Sequence, residues 1–294
     1  MEKLDYYVLD VFTDQRYAGN QLSVVHLQHT LSLEQYHQIS REFGYSETSF
    51  VLFDTVAQIF KVRSFTPAGF EVEGAGHNLL GAVCLAILQD WNIFRAQGDE
   101  PVVLIKDTRI PLKIEYKEGV AYVAMKQRPI SIPGTVPMSD VAAAVGLSTQ
   151  ELLLHDWQIN IVQTEVPHLM VPVRDLQALE KAACHKPLLK SLSARYGFEG
   201  VYLFTTEGIA AGYLAEARFF NPGMGIDEDP ATGTAAGPLA GYLANLEYIP
   251  AGESFRILQG KYIAHPSDIQ VQVVSDGIWV SGTSVIVMEG KIFV

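Results

Sequence analysis

A glycine followed by a polar side chain stands twice at the start of an apolar segment. Gly76 and His77 lead into an apolar run at 79–88, and Gly233 and Thr234 lead into a second stretch of small and apolar residues. If each segment is a helix, the N–H groups of its first turn carry partial positive charge and bind an anion such as a carboxylate or an enolate oxygen. Taken singly, each motif is more typical of ordinary capping by Thr234, or of a buried structural histidine at position 77.

Both helix starts follow the same short pattern, R-x-F-x-P. Arg63 opens the first copy and lies 13 residues before Gly76, and Arg218 opens the second copy and lies 15 residues before Gly233. A five-letter match could arise by chance, but the same order of features follows each copy. The repeat predicts two related domains, and the pairing favours two anion-binding helix starts over two unrelated caps.

Three carboxylates, Asp227, Glu228 and Asp229, precede the second helix start in the sequence DEDPATG. Carboxylates at this place stabilise a helix through its dipole, which is the simple interpretation. An acidic side chain held in place by Pro230 could also orient a substrate or donate a proton. The spacing matches neither a His-x-x-x-His zinc site nor a calcium loop, so no metal site is predicted.

A further carboxylate of interest is Glu47, in the sequence YSETSFV. It opens a predicted strand that is otherwise made of small polar and apolar residues. A carboxyl group beside an apolar strand can have a raised pKa, as a general acid or base at neutral pH requires. An exposed glutamate on an edge strand is the alternative.

Composition excludes several classes of function. The net charge of −12 disfavours nucleic acid and anionic membranes as partners. The longest apolar run is far shorter than the roughly 20 residues of a membrane span. Two cysteines, Cys84 and Cys184, give no disulfide framework, and nucleophilic catalysis by either is disfavoured. The chain has neither a dinucleotide fingerprint nor a P-loop, so we expect a cytoplasmic protein without a cofactor.

The pattern of elements indicates an α+β protein with antiparallel sheets. Strands are expected at 4–12, 20–27, 47–53 and 57–65, a capped helix at 32–44, and a hairpin that turns at Glu118 and Gly119. In the second half, helices are expected near 139–153 and 175–196. The proline-rich segment 127–137 is the expected linker. We therefore predict an N-terminal domain at 1–127 and a C-terminal domain at 128–294.

Several stretches together resemble the PhzF-like phenazine-biosynthesis family, which is related to diaminopimelate epimerase. They occur in the order expected of that family and span essentially the whole chain: DVFTDQRYAGNQLSVV, YSETSFV, RSFTP with EVEGAGHN, PHLMVPV, DEDPATGTAAGPL and LQGKYIAHPS. The resemblance implies a two-domain fold in which each domain is a curled antiparallel sheet or barrel around a central helix, and in which the last strand returns to the first domain. It also implies a homodimer and a cofactor-independent isomerase that works in the cleft between its domains.

The resemblance also assigns roles to individual residues. Glu47 matches the glutamate that moves a proton between substrate carbons, while His77 and Asp229 match residues that assist proton transfer and hold the substrate. The positions matching substrate contacts are Ser46, Gly76, Asn78, Gly233, Thr234 and Ala235. The implied partner is a small, anionic molecule.

The chain departs from the family pattern at several places. Thr234 stands where a serine is usual, Asn78 replaces a common proline or alanine, and AHPS at 264–267 stands where GRPS is usual. The related epimerase needs a cysteine at each helix start, and here those places hold His77 and Thr234. Racemase chemistry with two cysteines is therefore not expected.

Two hypotheses of different class follow. The first is an isomerase that moves a proton on a small conjugated carboxylate or enol by general acid/base catalysis. The second is a small-molecule binding or regulatory protein that kept the fold without the chemistry. The combination of Glu47, His77 and Asp229 favours the enzyme, because a binding module needs no general base.

Overall fold

The structure is a computed structural model of the 294-residue chain. It describes residues 2–72, 74, 76–91, 93–94, 101–106 and 108–294. The chain divides into two compact units, Met1–Lys126 with Ser281–Val294, and Gln127–Val280.

The described elements are strands with six α-helices among them. The strands are β1 Lys3–Val11, β2 Asn20–His26, β3 Thr48–Asp54, β4 Ile59–Phe65, β5 Glu71–Val72, β6 Val102–Ile105, β7 Thr108–Lys117, β8 Val120–Gln127, β9 Ser131–Thr135, β10 Asn160–Gln163, β11 Pro167–Pro172, β12 Gly200–Thr205, β13 Ala215–Asn221, β14 Ile226–Asp229, β15 Ser254–Gln259, β16 Ser267–Val274, β17 Gly277–Gly282 and β18 Ser284–Phe293. The helices are α1 Leu33–Phe43, α2 His77–Leu88, α3 Met138–Ala144, α4 Leu176–Lys181, α5 Lys186–Tyr196 and α6 Gly233–Asn245.

The first unit is a mixed sheet around α2. β1 pairs with β18 on one side and β2 on the other, and β3 and β4 continue the sheet. β2 and β3 are parallel and joined by α1, while β4 and β6 are parallel and joined through β5 and α2. The other pairs of this unit are antiparallel, including the predicted hairpin of β7 and β8. At Gly81 of α2, an added Cβ would lie 2.6 Å from Leu22 and 2.8 Å from Val11, so only glycine fits there.

The second unit repeats this arrangement around α6. β11 and β12 are parallel and joined by α4 and α5, and β13 and β15 are parallel and joined through β14 and α6. β9 and β10 extend one end of the sheet, and β16 extends it beyond β15. The α+β class is confirmed, but the sheets are mixed rather than antiparallel. The helices α1, α4 and α5 act as crossovers, which parallel neighbours require.

An arginine of the R-x-F-x-P motif forms an ion pair in each unit, half-buried in the first unit and largely buried in the second. Arg63 at the end of β4 donates to both carboxylate oxygens of Glu71 on β5, at 2.7 and 2.8 Å. Arg218 on β13 donates to both oxygens of Glu228 on β14, at 2.9 and 2.6 Å. Each glutamate precedes its glycine, Gly76 or Gly233, by five residues. The repeat therefore encodes a clamp that fixes the chain just before each central helix.

Part of the predicted linker at 127–137 is a strand, because residues 131–135 form β9, while the boundary between the two units falls at the start of the segment, between Lys126 and Gln127. β9 pairs with β10 through Ser131 opposite Gln163 and Gly134 opposite Ile161, with an irregular register between them. Pro133 lies inside this irregularity. A residue in a bulge need not donate a hydrogen bond to the neighbouring strand, so the N–H that proline lacks is not missed there. A proline-rich stretch can thus remain part of a sheet.

The helix predictions in the first half are accurate, and those in the second half need correction. Ser32 caps α1 with a capping box to Gln35, and Gly44 ends the helix in the left-handed conformation, φ 70°. The helix expected at 175–196 is two helices, because Pro187 lies in the first turn of α5, where a continuous helix could not hold it. The segment 139–153 is α3 followed by a 3-10 helix, Thr149–Leu152.

In the part of the chain that the structure describes, no helix has the length and apolar character needed to cross a membrane.

We expect Arg218→Met to lower the free energy of unfolding by about 3 kcal/mol, because it leaves the buried carboxylate of Glu228 without its partner. It also removes three bonds from Arg218 to the backbone carbonyls of residues 179, 180 and 182. Arg256→Met is the matched control, since Arg256 pairs with Asp268 at the surface. Its loss should be below about 1 kcal/mol. Urea unfolding of the three proteins measures both, and equal losses would contradict the clamp.

Candidate active site

The start of α2 is shaped by a glycine and an asparagine. Gly76 occupies the N-cap position and has no side chain with which to cap the helix. Its own N–H donates to Oδ1 of Asn78 at 2.8 Å, and Nδ2 of Asn78 donates to the carbonyl of Gly74 at 3.1 Å. Asn78 is buried and holds the turn that leads into the helix. The N–H groups of the first turn, at the N-terminus of α2, have no intrahelical acceptor.

His77 is the first residue of α2, and it is buried, with 7% of its surface exposed. Its Nε2 lies 3.5 Å from Oγ of Ser46. Burial lowers the pKa of His77 to about 4, because an imidazolium loses its hydration there. The ring is therefore neutral at pH 7, and it acts as a hydrogen-bonding group rather than as a cation.

Glu47 lies in a segment that runs along the first turn of α2. Ser46, the residue before it, contacts His77, and Ser49, two residues after it, donates to the carbonyl of Asn78 at 3.1 Å. Glu47 itself is partly buried. Within the first unit, the structure therefore brings together the segment of Ser46 and Glu47 and the helix start at 76–78.

The start of α6 has a different set of side chains. Thr232, not Thr234, occupies the N-cap position, so the alternative interpretation of Thr234 as an ordinary helix cap is wrong. The Thr232 hydroxyl bonds to Asp229 and Gln259 instead of the helix. Thr234 is the second helical residue, and its Oγ1 lies 3.4 Å from Nε2 of His168.

His168 is a site residue that the sequence analysis missed. It lies on β11, has 2% of its surface exposed, and packs edge-on against the ring of Phe219. Burial lowers its pKa to about 3, so it is neutral at pH 7. A histidine at the head of the apolar strand PHLMVPV was the available signal. Each helix start thus pairs a neutral histidine with a hydroxyl, in the order His77 with Ser46 and Thr234 with His168.

The three carboxylates before α6 have different surroundings. Asp227 is exposed and pairs with Lys186, and Glu228 pairs with Arg218. Asp229 ends β14, has 6% of its surface exposed, and its Oδ2 accepts from Oγ1 of Thr232 at 2.5 Å. Of the three, Asp229 is the one that is hydrogen-bonded to Thr232, the N-cap residue of α6.

Gly233 and Ala235 form the buried wall of the second helix start. The carbonyl of Gly233 accepts from Nε2 of Gln127 at 3.0 Å, and Ala235 is fully buried. Together with Asp229 and Thr234, they form the second unit's set of candidate residues. One set of candidate residues lies at the helix start of each unit.

Neither a metal nor a cysteine nucleophile is favoured by this geometry. Among the residues that the structure describes, no three or more His, Cys, Asp or Glu side chains form a group that could hold a metal ion. Burial raises the pKa of Cys84 to about 12 and raises that of Cys184 as well. A raised pKa disfavours the thiolate, which is the reactive form.

Comparison with known proteins identifies the class of the fold. A crystal structure of the PhzF-family phenazine biosynthesis protein of Bacillus anthracis superposes with a TM-score of 0.88 at 24% identity, covering 100% of both chains. A hydroxyproline epimerase from Agrobacterium vitis has a TM-score of 0.63 at 11% identity, covering 99% of this chain and 92% of the other. The expected epimerase-like fold is confirmed.

Sequence comparison identifies the family. The family model described as phenazine biosynthesis-like protein, PhzC-PhzF, matches residues 9–290. Trans-2,3-dihydro-3-hydroxyanthranilate isomerase of Pseudomonas aeruginosa is 30% identical over 306 residues, which cover 98% of this chain and 99% of that protein. An uncharacterized isomerase of Mesorhizobium japonicum is 28% identical over 309 residues, covering 100% of both. The chain belongs to the phenazine biosynthesis-like family, as its motifs predict, and it is an enzyme of the isomerase class.

The buried His77 predicts a pH dependence of stability. Its pKa is about 4 in the folded protein, against about 6.5 when unfolded, so between these values only the unfolded chain binds the proton. Stability should therefore fall as the pH drops through this window. Between pH 6 and pH 5, the free energy of unfolding of the wild type should fall about 1 kcal/mol more than that of His77→Gln. Urea unfolding at both pH values measures the difference, and equal changes in the two proteins would mean that the pKa of His77 is not lowered in the folded protein.

Proposed function

We propose that the protein moves a proton between carbon atoms of a small conjugated carboxylate or enol, with Glu47 as general acid and base and without a cofactor. The observation that carries the proposal is the course of the segment around Glu47. Residues on both sides of this glutamate contact the first turn of α2, at His77 and Asn78. A carboxylate, a neutral imidazole and the N–H groups of a helix start therefore lie in one neighbourhood.

These groups suit the chemistry of proton transfer next to a carbonyl or carboxylate. Removal of a proton from such a carbon develops negative charge on oxygen, and helix N–H groups stabilise that charge. A positioned carboxylate supplies roughly 10²–10⁴-fold as the general base and returns the proton at a second carbon. The ring of His77 is neutral, so it serves as a hydrogen-bonding partner of the substrate and adds no charge to the site.

The second helix start supplies further substrate contacts in this proposal. Asp229 assists proton transfer and holds the substrate, and the N–H groups of Gly233 and Thr234 bind an anionic group. Ala235, whose own N–H donates to the carbonyl of Thr232 at 3.0 Å, lines the site. The methyl group of Thr234 narrows the site relative to a serine. The net charge of −12 does not oppose an anionic substrate, because the helix starts set the local field.

The substrate class follows from the relatives. The Pseudomonas aeruginosa relative is named for trans-2,3-dihydro-3-hydroxyanthranilate, a small carboxylate. We propose a small carboxylate of comparable chemistry for this protein, and the named compound is the first one to test. The active form in this proposal is a homodimer that acts on a free small molecule.

The test is exchange of substrate C–H for solvent deuterium. Glu47→Gln keeps the size of the side chain but cannot accept the proton, so we expect exchange to fall by about three orders of magnitude or more, with binding within a few fold of wild type. Glu42→Gln on the exposed side of α1 is the matched control and should exchange at the wild-type rate. The measurement is NMR of trans-2,3-dihydro-3-hydroxyanthranilate in deuterium oxide. Equal rates in Glu47→Gln and wild type would remove Glu47 from the mechanism, and binding without exchange in the wild type would favour the non-catalytic alternative.

His77→Asn and Asp229→Asn are expected to impair both substrate binding and turnover, because each residue both holds the substrate and assists the proton. We expect KM to rise and kcat to fall in each variant, by about tenfold or more. Steady-state kinetics separates the two effects. A change confined to KM would assign the residue to binding alone, against the mixed role proposed.

A further inference from the structure

Gln259 lies at the centre of a buried polar network beside Asp229. It is the last residue of β15, with none of its surface exposed. Its Nε2 donates to the carbonyl of Asp229 at 2.8 Å and to Oγ1 of Thr232 at 3.0 Å. Its Oε1 accepts from the hydroxyl of Tyr202 at 3.0 Å and from the N–H of Thr232 at 3.1 Å.

These four bonds use the whole capacity of the amide group, two donors and two acceptors. The orientation of the amide is fixed by its partners. If the amide were flipped, its oxygen would face the carbonyl of Asp229, and its NH₂ would face the N–H of Thr232. Both contacts would be repulsive, so Gln259 has one orientation.

The orientation of Gln259 determines the direction of the next hydrogen bond. Because Oγ1 of Thr232 accepts a hydrogen bond from Gln259, the hydroxyl group of Thr232 donates its own hydrogen to another acceptor. That acceptor is Oδ2 of Asp229, at 2.5 Å. The hydrogen bond favours the ionised form of Asp229 and holds the carboxylate in one rotamer.

The chain after Gln259 keeps this geometry rigid. Gly260 has a φ of +77°, and an added Cβ would lie 2.2 Å from the carbonyl oxygen of His265 and 2.6 Å from that of Pro230. The turn after β15 therefore packs directly on the residue that follows Asp229. No side chain fits between the two segments.

We propose that Gln259 is a positioning residue that acts through Thr232 to hold the Asp229 carboxylate ionised and aligned at the start of α6. The catalytic consequence rests on the role given to Asp229 in the proposed function. The orientation itself does not, so the two can be tested separately.

Other ionisable groups lie on Asp229's own strand and on neighbouring strands. Tyr202 lies on β12, and its pKa is raised by burial and by the charge of Asp229. Glu228 pairs with Arg218, and Asp227 pairs with Lys186. On β11, His168 contacts Thr234 and Phe219. These groups remain in every variant below except Tyr202, whose replacement is the control.

The experiment follows the titration of the Asp229 carboxyl group by ¹³C NMR, in the full chain labelled at aspartate carboxyls. Asp229→Asn identifies the signal. Gln259→Met removes both donations while keeping the length of the side chain, and it frees the Thr232 hydroxyl to rotate. The pKa of Asp229 should rise by about one unit in this variant. Gln259→Asn, which is too short to make both bonds, should shift the pKa in the same direction and replaces Gln259→Met if that variant does not fold.

Tyr202→Phe is the matched control, because it removes a bond to the same amide but leaves both donations of Gln259 intact. It should leave the pKa of Asp229 within a few tenths of a unit. Thr232→Val should raise this pKa, and the double variant Gln259→Met/Thr232→Val should shift it no further than Thr232→Val alone. Equal shifts in Gln259→Met and Tyr202→Phe, no shift in Gln259→Met, or additive shifts in the double variant would overturn the proposal.

A second readout connects the network to turnover. The pH dependence of deuterium exchange into trans-2,3-dihydro-3-hydroxyanthranilate should move upward in Gln259→Met by the same amount as the NMR titration. If the wild type catalyses no exchange, the proposed function fails while the NMR result on Gln259 stands. If exchange occurs and its pH profile does not follow the pKa of Asp229, Gln259 has no role in catalysis.

Discussion

Each unit depends on the burial of one helix that is apolar on all sides. In α2, ten of twelve residues are buried, and in α6, ten of thirteen. A helix of this kind is stable only when other elements cover its whole circumference, and a mixed sheet curled around it does so. Glycines permit the close approach that this requires: an added Cβ at Gly241 of α6 would lie 2.4 Å from Ile130. The first turn of each helix must then receive its polar partners from the chain that enters it.

That constraint explains why the R-x-F-x-P repeat is found outside the helices. The arginine of each copy binds the glutamate that stands five residues before the helix glycine, so an ion pair fixes where the chain enters the helix. The two copies differ by two residues, and this difference falls between arginine and glutamate. In the second unit that segment contains a 3-10 helix, Pro222–Met224. The spacing from glutamate to helix is the same in both units, since that spacing sets the site.

Local signals in the sequence were sufficient for some features and insufficient for others. The capping box of Ser32, the left-handed Gly44 and both helix starts depend on neighbouring residues, so they could be predicted. β9 could not, because its strand character comes from pairing with β10, whereas Pro133 and the prolines on either side of the strand indicate a loop. His168 and Gln259 were missed for the same reason: each reaches its partner from a strand distant in the sequence. Glu228 and Asp229 could not be told apart by spacing, since only the fold shows which one meets Arg218.

The two helix starts use related groups in reversed positions. At α2 the histidine is on the helix and the hydroxyl on the facing segment, and at α6 the threonine is on the helix and the histidine on the facing strand. Burial keeps His77 and His168 neutral, so under the proposed function neither supplies the charge that attracts an anionic substrate. The attraction then comes from backbone N–H groups, which have fixed directions and act only over about the first turn of a helix. Recognition of this kind selects a substrate by where its carboxylate or enolate oxygen lies. Under the proposed function, it gives proton transfer the fixed geometry that Glu47 as the base needs to act on one carbon rather than another.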